Sequence, residues 1–172
     1  DAAMAVAALV GGSVDSFVGM MNQRAAELGC ENTHFLNPHG YTQEGHYASA
    51  RDMAAIAREA MGNETFRNIV KTMKYTMLAT NARGALRISN TNLWGASTGY
   101  YKYKYGTGIK TGYTSAAGQC LAGSATNDDG VTLISVVFRS TTSNVEAKWL
   151  DTTKLMDYGF ARYAQYNFDQ LY

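Results

Sequence analysis

The chain has 172 residues, of which 46% are hydrophobic and 17% charged, and its formal net charge is +1. This length is sufficient for the core of one domain, and the composition is that of a globular protein rather than a disordered one. The small net charge argues against a nucleic-acid-binding protein, which needs a concentrated basic face. The sequence contains no apolar run near the ~20 residues of a membrane span and no signal peptide.

Two helices separated by glycine are predicted at the start of the chain. Residues 1–10 are small and mostly apolar, and Gly11 and Gly12 end that helix. Ser13 is a preferred N-cap residue and begins a second helix, which runs to about Leu28. Apolar residues at spacings of three and four predict one buried stripe on it, formed by Phe17, Met20, Met21, Ala25 and Leu28.

Two further helices are predicted after a long connection over residues 30–48. Ser49 and Asp52 resemble a capping box, with Asp52 in place of the usual Glu, and predict a helix over residues 50–61. Asn63 is the N-cap of a shorter helix that follows directly.

The connection over residues 30–48 contains the three histidines of the chain, His34, His39 and His46. A zinc site is one interpretation, but zinc ligands usually come in closer pairs, and no two of these histidines fall on one helical face. We favour a turn at residues 37–40 with histidines bonding the loop backbone, and we expect neither a metal nor a cofactor. Cys30 and Cys120 show no metal-binding spacing, and whether they pair is left open.

The second half of the chain predicts strands. Apolar and polar residues alternate in part over residues 72–80, which predicts a strand. The polar segment over residues 87–105 is expected to wrap the surface. Residues 119–127 and 131–138 are strongly β-forming and are joined by a hairpin turn. The aromatic and basic run at residues 100–105 could stack on nucleic acid, but with two lysines in a near-neutral protein we favour a solvated hairpin.

A long helix is predicted near the end of the chain. Ser143 and Glu146 form a capping box, and the helix should end near Tyr163. Its apolar stripe should lie across the sheet and consists of Trp149, Leu150, Thr153, Leu155, Met156 and Phe160. Residues 164–172 are predicted to begin a linker or tail. The order of helices, then strands, then a helix predicts an α+β fold.

The segment Lys110-Thr111-Gly112 combines a cation, a hydroxyl and a residue without a side chain. If residues 107–112 are extended, Lys110 and Gly112 face one side and Thr111 the other. Gly112 would let a substrate backbone come close, and an extended peptide could add to such an edge. Lys-Thr-Gly is also the third signature element of penicillin-binding proteins and class A β-lactamases. A motif of only three residues also occurs by chance, so an ordinary strand followed by a glycine turn explains Lys-Thr-Gly equally well.

Further stretches occur in the same order as in one known family, at residues 17–28, 33–40, 46–53, 108–114 and 158–160. With them, the sequence resembles the serine D-alanyl-D-alanine carboxypeptidases, the low-molecular-mass penicillin-binding proteins of peptidase family S11, over nearly the whole chain. The resemblance implies an incomplete β-lactamase/transpeptidase-like domain over residues 1–163. That domain comprises a helical subdomain, antiparallel strands and a C-terminal helix packed on the sheet.

Two of the family's three active-site motifs, Ser-x-x-Lys and Ser-x-Asn, are absent from this sequence. Family members commonly continue Ser-x-Asn with Asp-Ala-Ala, and this chain begins with those residues. The resemblance therefore implies that the chain starts after the second motif, lacks the nucleophile and hydrolyses nothing alone. A chain without several strands should expose an apolar face and an unpaired edge. It should be aggregation-prone, dimeric or associated with a complementary N-terminal fragment.

The family's chemistry assigns roles to residues of the Lys-Thr-Gly strand. An upstream serine attacks the penultimate D-alanine carbonyl of the peptidoglycan stem peptide, and β-lactams mimic that D-Ala-D-Ala end. By resemblance, Lys110 supplies positive potential, Thr111 binds the terminal carboxylate, Gly112 admits the substrate, and the Tyr113 N–H is one oxyanion donor. Arg139 is a further candidate for steering the carboxylate, although an ordinary exposed strand-end charge is an equal alternative. The family's substrate implies a location outside the cytoplasmic membrane.

Two other functional classes remain as alternatives. A class A-type β-lactamase predicts rapid deacylation and a Glu-bearing loop well before Lys-Thr-Gly, but residues 33–52 resemble the carboxypeptidases more closely. A non-catalytic peptidoglycan-binding module is consistent with the missing serine and predicts peptide binding without turnover.

Overall fold

A computed structural model describes residues 1–95, 99–141 and 144–171, with side chains described up to residue 167. Helices and antiparallel strands are both present, which confirms the predicted α+β class. In chain order the elements are α1 (Ala2–Gly11), α2 (Val14–Glu27), β1 (Thr33–His34), β2 (Tyr47–Ala48), α3 (Ala50–Gly62), α4 (Glu64–Lys71), β3 (Lys74–Met77), β4 (Leu86–Ser89), a 3₁₀ turn (Leu93–Gly95), β5 (Gly106–Thr114), β6 (Gly118–Thr126), β7 (Thr132–Val137) and α5 (Ala147–Leu171).

Polar side chains cap the helices of the first half as the sequence predicts. The Ser13 hydroxyl accepts a hydrogen bond from the Ser16 N–H at 3.1 Å, and Asn63 Oδ1 accepts from the Phe66 N–H at 3.0 Å. Gly12 follows α1 with a φ of 74°, a left-handed conformation that glycine adopts without steric cost. Local sequence chemistry therefore determines where these helices begin and end.

The capping box predicted at α3 forms only in part. The Ser49 hydroxyl accepts from the Asp52 N–H at 3.1 Å, but the Asp52 carboxylate accepts from the Asn32 N–H at 2.7 Å and the Thr33 hydroxyl at 2.8 Å. Burial raises the pKa of the Asp52 carboxyl, but the hydrogen bonds from Thr33, Asn32 and Ser49 outweigh burial and hold that pKa below its usual value. Asp52 therefore ties α3 to the segment that begins β1.

The three-stranded sheet has the order β5-β6-β7 with antiparallel pairing throughout. Lys110 lies opposite Ala122, and Gly112 lies opposite Cys120. The strands predicted over residues 119–127 and 131–138 are present as β6 and β7. β1 pairs with β2 and β3 with β4 as separate two-stranded ribbons, and β5 and β7 form the edges of the larger sheet.

Among the described residues, buried side chains form two clusters. The first joins the 3₁₀ turn, β6 and α5 and consists of Trp94, Leu121, Ala125, Trp149 and Met156. The second joins α3 to β5 and consists of Ala57, Met61 and Ile109. The apolar stripes predicted on α2 and α5 are only partly buried, because Met20 is 47% exposed and Leu150 and Leu155 are each 46% exposed.

The prediction that residues 87–105 wrap the surface as a polar segment is wrong at its centre. Trp94 is fully buried, stacks on Tyr103 with ring centroids 4.8 Å apart, and donates from Nε1 to the Thr153 hydroxyl at 3.0 Å. Tyr101 and Tyr105 also pack against this cluster, so the run at residues 100–105 is not a solvated hairpin. Burial of the apolar faces of these tyrosine rings is favourable, and their hydroxyls donate to carboxylates: Tyr101 to Glu146, Tyr103 to Asp157 and Tyr105 to Asp128.

α5 lies on β6 and β7 and continues past its predicted end at Tyr163 to Leu171. The capping residue predicted for it, Ser143, lies outside the described residues. Among the helices in the described ranges, no single one is long and apolar enough to cross a membrane. Helices α1 and α2 reach the length and apolar composition of a membrane span only when taken together, and the angle between them is 83°.

We expect the Trp94→Ala substitution to lower the free energy of unfolding by roughly 3–5 kcal/mol, because it empties a fully buried site and removes the bond to Thr153. Urea denaturation followed by circular dichroism measures this loss. Tyr158→Ala, at a residue 66% exposed on α5, is the control and should change stability by less than about 0.5 kcal/mol. Equal losses in the two variants would contradict the assignment of Trp94 to the core.

Candidate active site

The four site residues predicted on the Lys-Thr-Gly strand lie together in the second half of β5. Lys110, Gly112 and Tyr113 are exposed and Thr111 is half-buried. β6 pairs with one edge of β5, and no strand pairs with the other edge in the part of the chain that the structure describes. The segment therefore presents backbone hydrogen-bonding groups, a cation and a hydroxyl on a free strand edge.

The Lys110 ammonium carries a charge that no carboxylate balances among the described residues. Its Nζ donates to the backbone carbonyl of Thr111 at 2.6 Å, so the side chain folds back along its own strand. An ammonium has three donors, and this bond occupies one of them. Lys110 can therefore still bind an anion beside β5.

The Thr111 hydroxyl lies 3.1 Å from the hydroxyl of Thr91, a residue just after β4. Each hydroxyl has one donor and two acceptor positions, so Thr111 can accept from Thr91 and still donate elsewhere. The sequence does not point to Thr91, because a single threonine in a polar segment gives no signal of a contact twenty residues away.

Gly112 is not required by packing within the chain. A Cβ added there would lie 3.7 Å from the Cβ of Cys120, which is an ordinary van der Waals contact. The φ of Gly112 is also outside the left-handed region that favours glycine. The absence of a side chain at this position thus leaves free space beside the strand, as close approach of a substrate backbone needs.

A compact loop over residues 35–46 reaches the end of β5. The short β1–β2 pair holds the two ends of this loop together, as in an Ω-loop. The Thr42 hydroxyl donates to the Thr114 hydroxyl at 2.9 Å, and Thr114 also accepts from the Ala117 N–H at 3.0 Å. The sequence predicts a turn in this region but gives no sign of its contact with the Lys-Thr-Gly strand.

The three histidines bond the loop backbone, as expected. His46 Nδ1 accepts from the Leu36 N–H at 2.9 Å, His39 Nδ1 accepts from the Tyr41 N–H at 3.2 Å, and His34 Nδ1 lies 3.1 Å from the Gly45 carbonyl. Within the described ranges, no group of three His, Cys, Asp or Glu side chains is placed to hold a metal ion. Cys30 and Cys120 are both free thiols.

Arg139 lies just beyond β7 at the end of the sheet that also contains Tyr113. Gln119, the β6 partner of Tyr113, exchanges backbone bonds with Ser140 and Thr141, so Arg139 is an extra residue that bulges from the ladder. Its φ of 49° is unusual for a residue with a side chain, and the side chain is exposed. No contact within the described residues joins Arg139 to Lys110 or Thr111.

We expect the loop over residues 35–46 to lose stability in mild acid. Burial, and then the charges of His39 and His34, lower the pKa of His46 below its ordinary value of 6.5. The unfolded chain therefore takes up this proton at a higher pH than the folded chain. The stabilisation is complete above about pH 6.5 and is lost as the pH falls through the folded pKa. Protonation also removes the Nδ1 acceptor from the Leu36 N–H.

Thermal denaturation at about pH 7.5 and at about pH 5 measures this loss. The fall in midpoint should be smaller in His46→Gln, whose amide oxygen can accept from Leu36 without titrating. His39→Gln is the control and should keep most of the pH dependence, because burial of His46 is the larger cause of its lowered pKa. The same fall in wild type and His46→Gln would refute the role of His46.

Comparisons with known proteins identify the family and the fold. The profile of the D-alanyl-D-alanine carboxypeptidase family matches residues 1–142. The D-alanyl-D-alanine carboxypeptidase DacF of Bacillus subtilis is 38% identical over 164 residues, which are 95% of this chain and 40% of DacF. The D-alanyl-D-alanine carboxypeptidase of Streptomyces sp. strain K15 is 40% identical over 149 residues, covering 86% of this chain and 50% of the relative. The chain thus spans about half or less of the length of these curated relatives.

Solved structures show the same fold. The crystal structure of the Streptomyces K15 DD-transpeptidase gives a TM-score of 0.74 at 38% identity and covers 85% of this chain and 54% of the other. The D-alanyl-D-alanine carboxypeptidase DacD from Francisella tularensis gives a TM-score of 0.80 at 26% identity, covering 93% of this chain and 48% of that one. The family profile covers most of the chain, and the chain belongs to the D-alanyl-D-alanine carboxypeptidase family, peptidase S11.

Proposed function

We propose that this chain supplies the Lys-Thr-Gly strand of a serine-type D-Ala-D-Ala carboxypeptidase whose serine nucleophile lies outside these 172 residues. The observation that carries the proposal is the free outer edge of β5, where Lys110 to Tyr113 are accessible together. Family membership supports it, and the sequence contains neither Ser-x-x-Lys nor Ser-x-Asn. The substrate is then a peptidoglycan stem peptide ending in D-Ala-D-Ala, and the site is extracytoplasmic.

Recognition begins with strand addition to the edge of β5. The peptide lies extended beside β5 and pairs with its backbone N–H and C=O groups. Its terminal carboxylate accepts hydrogen bonds from the Lys110 ammonium and the Thr111 hydroxyl, which Thr91 orients. Gly112 leaves room for the peptide backbone. Arg139 adds a second cation at this end of the sheet.

Catalysis requires a second segment that carries the serine. That serine attacks the carbonyl of the penultimate D-alanine, and the negative charge that develops on the carbonyl oxygen accepts from the Tyr113 N–H. One such donor contributes roughly 3 kcal/mol, and the second donor belongs to the segment with the nucleophile. The terminal D-alanine leaves, and water hydrolyses the acyl-enzyme. A β-lactam acylates the same serine because its ring amide and carboxylate resemble the D-Ala-D-Ala end.

A complementary polypeptide or a second copy of the chain is part of this proposal. Large apolar side chains are exposed on this chain, among them Leu9 at 84% and Leu78 at 81%. The outer edge of β7 also has no strand partner among the described residues. Exposed apolar side chains and an open strand edge each favour association.

The chain alone should form no covalent adduct with a penicillin, because it lacks the serine that the motif requires. Intact-mass spectrometry after incubation with benzylpenicillin should show an adduct only when a polypeptide carrying the Ser-x-x-Lys segment of the same protein is added. An adduct on this chain alone would refute the missing-nucleophile proposal. Binding of a D-Ala-D-Ala peptide with no adduct in either sample would favour a non-catalytic peptidoglycan-binding module.

In the active, complemented protein, Lys110→Gln should lower kcat/KM for a D-Ala-D-Ala peptide by roughly 10- to 100-fold, because it removes one charge-assisted hydrogen bond to the carboxylate. Lys102→Gln is the matched control, since Lys102 is also exposed and the charge change is the same. Steady-state release of D-alanine measures both variants. Equal activities of the two would exclude a role for Lys110 in substrate recognition.

A further inference from the structure

A cleft of about 650 Å³ lies at the end of the sheet opposite Tyr113. Three strand-end residues line it, namely Thr107 at the start of β5, Thr126 at the end of β6 and Thr132 at the start of β7. The end of α3 and the length of α4 form the other wall, and Met61 and Ile134 contribute apolar surface. The cleft is therefore separate from the Lys-Thr-Gly segment.

Three cations line this cleft, and none of the described residues that line it is a carboxylate. Arg67 and Lys71 are four residues apart on α4 and so lie on one face of that helix, while Arg58 comes from α3. The Arg67 guanidinium donates from Nη1 to the carbonyls of Met61 and Gly62 at 2.7 and 2.9 Å, which fixes its plane at the cleft wall. Arg58 and Lys71 form no ion pair within the described residues.

The hydroxyls of the cleft already have partners within the protein. Thr126 and Thr132 bond each other at 2.8 Å, and Thr107 bonds Ser124 at 2.6 Å. The donors of the cleft that remain available are thus those of its cations and of the Asn68 amide. In a chain with a net charge of +1, three unneutralised cations around one concavity produce a local positive potential that attracts anions.

We propose that this cleft binds a phosphate group, held by Arg58, Arg67 and Lys71. A phosphate carries up to two negative charges and three acceptor oxygens, and guanidinium forks match its geometry while an ammonium adds a point charge. The apolar surface of Met61 and Ile134 accommodates the carbon part of a phosphate ester. The phosphate belongs either to a soluble anion or to a phospholipid headgroup, and the two sources are distinguished below.

The test uses the natural full-length protein, with pyrophosphate in calorimetric titrations and with phosphatidylglycerol vesicles in flotation assays. Vesicles of phosphatidylcholine are the neutral reference. The double variant Arg58→Gln/Lys71→Gln removes two cleft charges and keeps Arg67, which also satisfies carbonyls of α3. Its control, Lys154→Gln/Arg162→Gln, removes two exposed charges from α5, outside the cleft.

Saturable pyrophosphate binding that weakens about 10-fold or more in the cleft variant, and less than about 2-fold in the control, would support a site for soluble phosphate. Binding to phosphatidylglycerol vesicles alone, with the same difference between variants, would assign the phosphate to a lipid. Absence of binding to both probes would overturn the proposal. Equal weakening in both double variants would also overturn it, because that result indicates general electrostatic attraction.

Discussion

The antiparallel pairing of β5 with β6 is the constraint on which the candidate site depends. The register from Gly106 to Thr114 engages the inner edge of β5, and among the described residues no strand pairs with its outer edge. The beginning of β5 is anchored against the core, where a Cβ on Gly106 would lie 3.0 Å from the Trp94 carbonyl. The beginning of the strand is therefore held by close packing, while its second half contains the exposed Lys110 and the half-buried Thr111.

That anchoring relies on a tightly packed layer beneath the sheet. A Cβ on Gly123 in β6 would lie 2.9 Å from Thr152 Cγ2, so α5 reaches the sheet only because this position has no side chain. Leu121 and Met156 fill the neighbouring space and are almost fully buried. A site on a strand held in this way keeps its geometry better than one on a loop, because rigid packing limits the movement of the residues that bind substrate.

The sequence predicts those helices and strands that are determined by residues close together in the chain. Ser13 and Asn63 cap their helices through bonds to residues three positions on, and β6 and β7 follow from β-forming runs around a hairpin turn. Lys-Thr-Gly was identifiable because its three groups are consecutive in sequence. The burial of Trp94 and the contact between Thr42 and Thr114, 72 residues apart, are not evident from the sequence. Both features depend on tertiary packing, which cannot be derived from hydrophobic periodicity or from secondary-structure propensity.

Binding of a peptide by strand addition and cleavage of its bond require different groups. An extended peptide can pair with β5 and place its carboxylate near Lys110 using groups that the chain itself contains. Cleavage requires stabilisation of the transition state beyond that of the bound peptide, and the chain offers one proposed oxyanion donor, the Tyr113 N–H. The nucleophile and the second donor would have to approach the same free edge. Under this proposal, association with the serine-bearing segment completes the oxyanion site and supplies the reacting group in one step, so assembly and catalysis are coupled through β5.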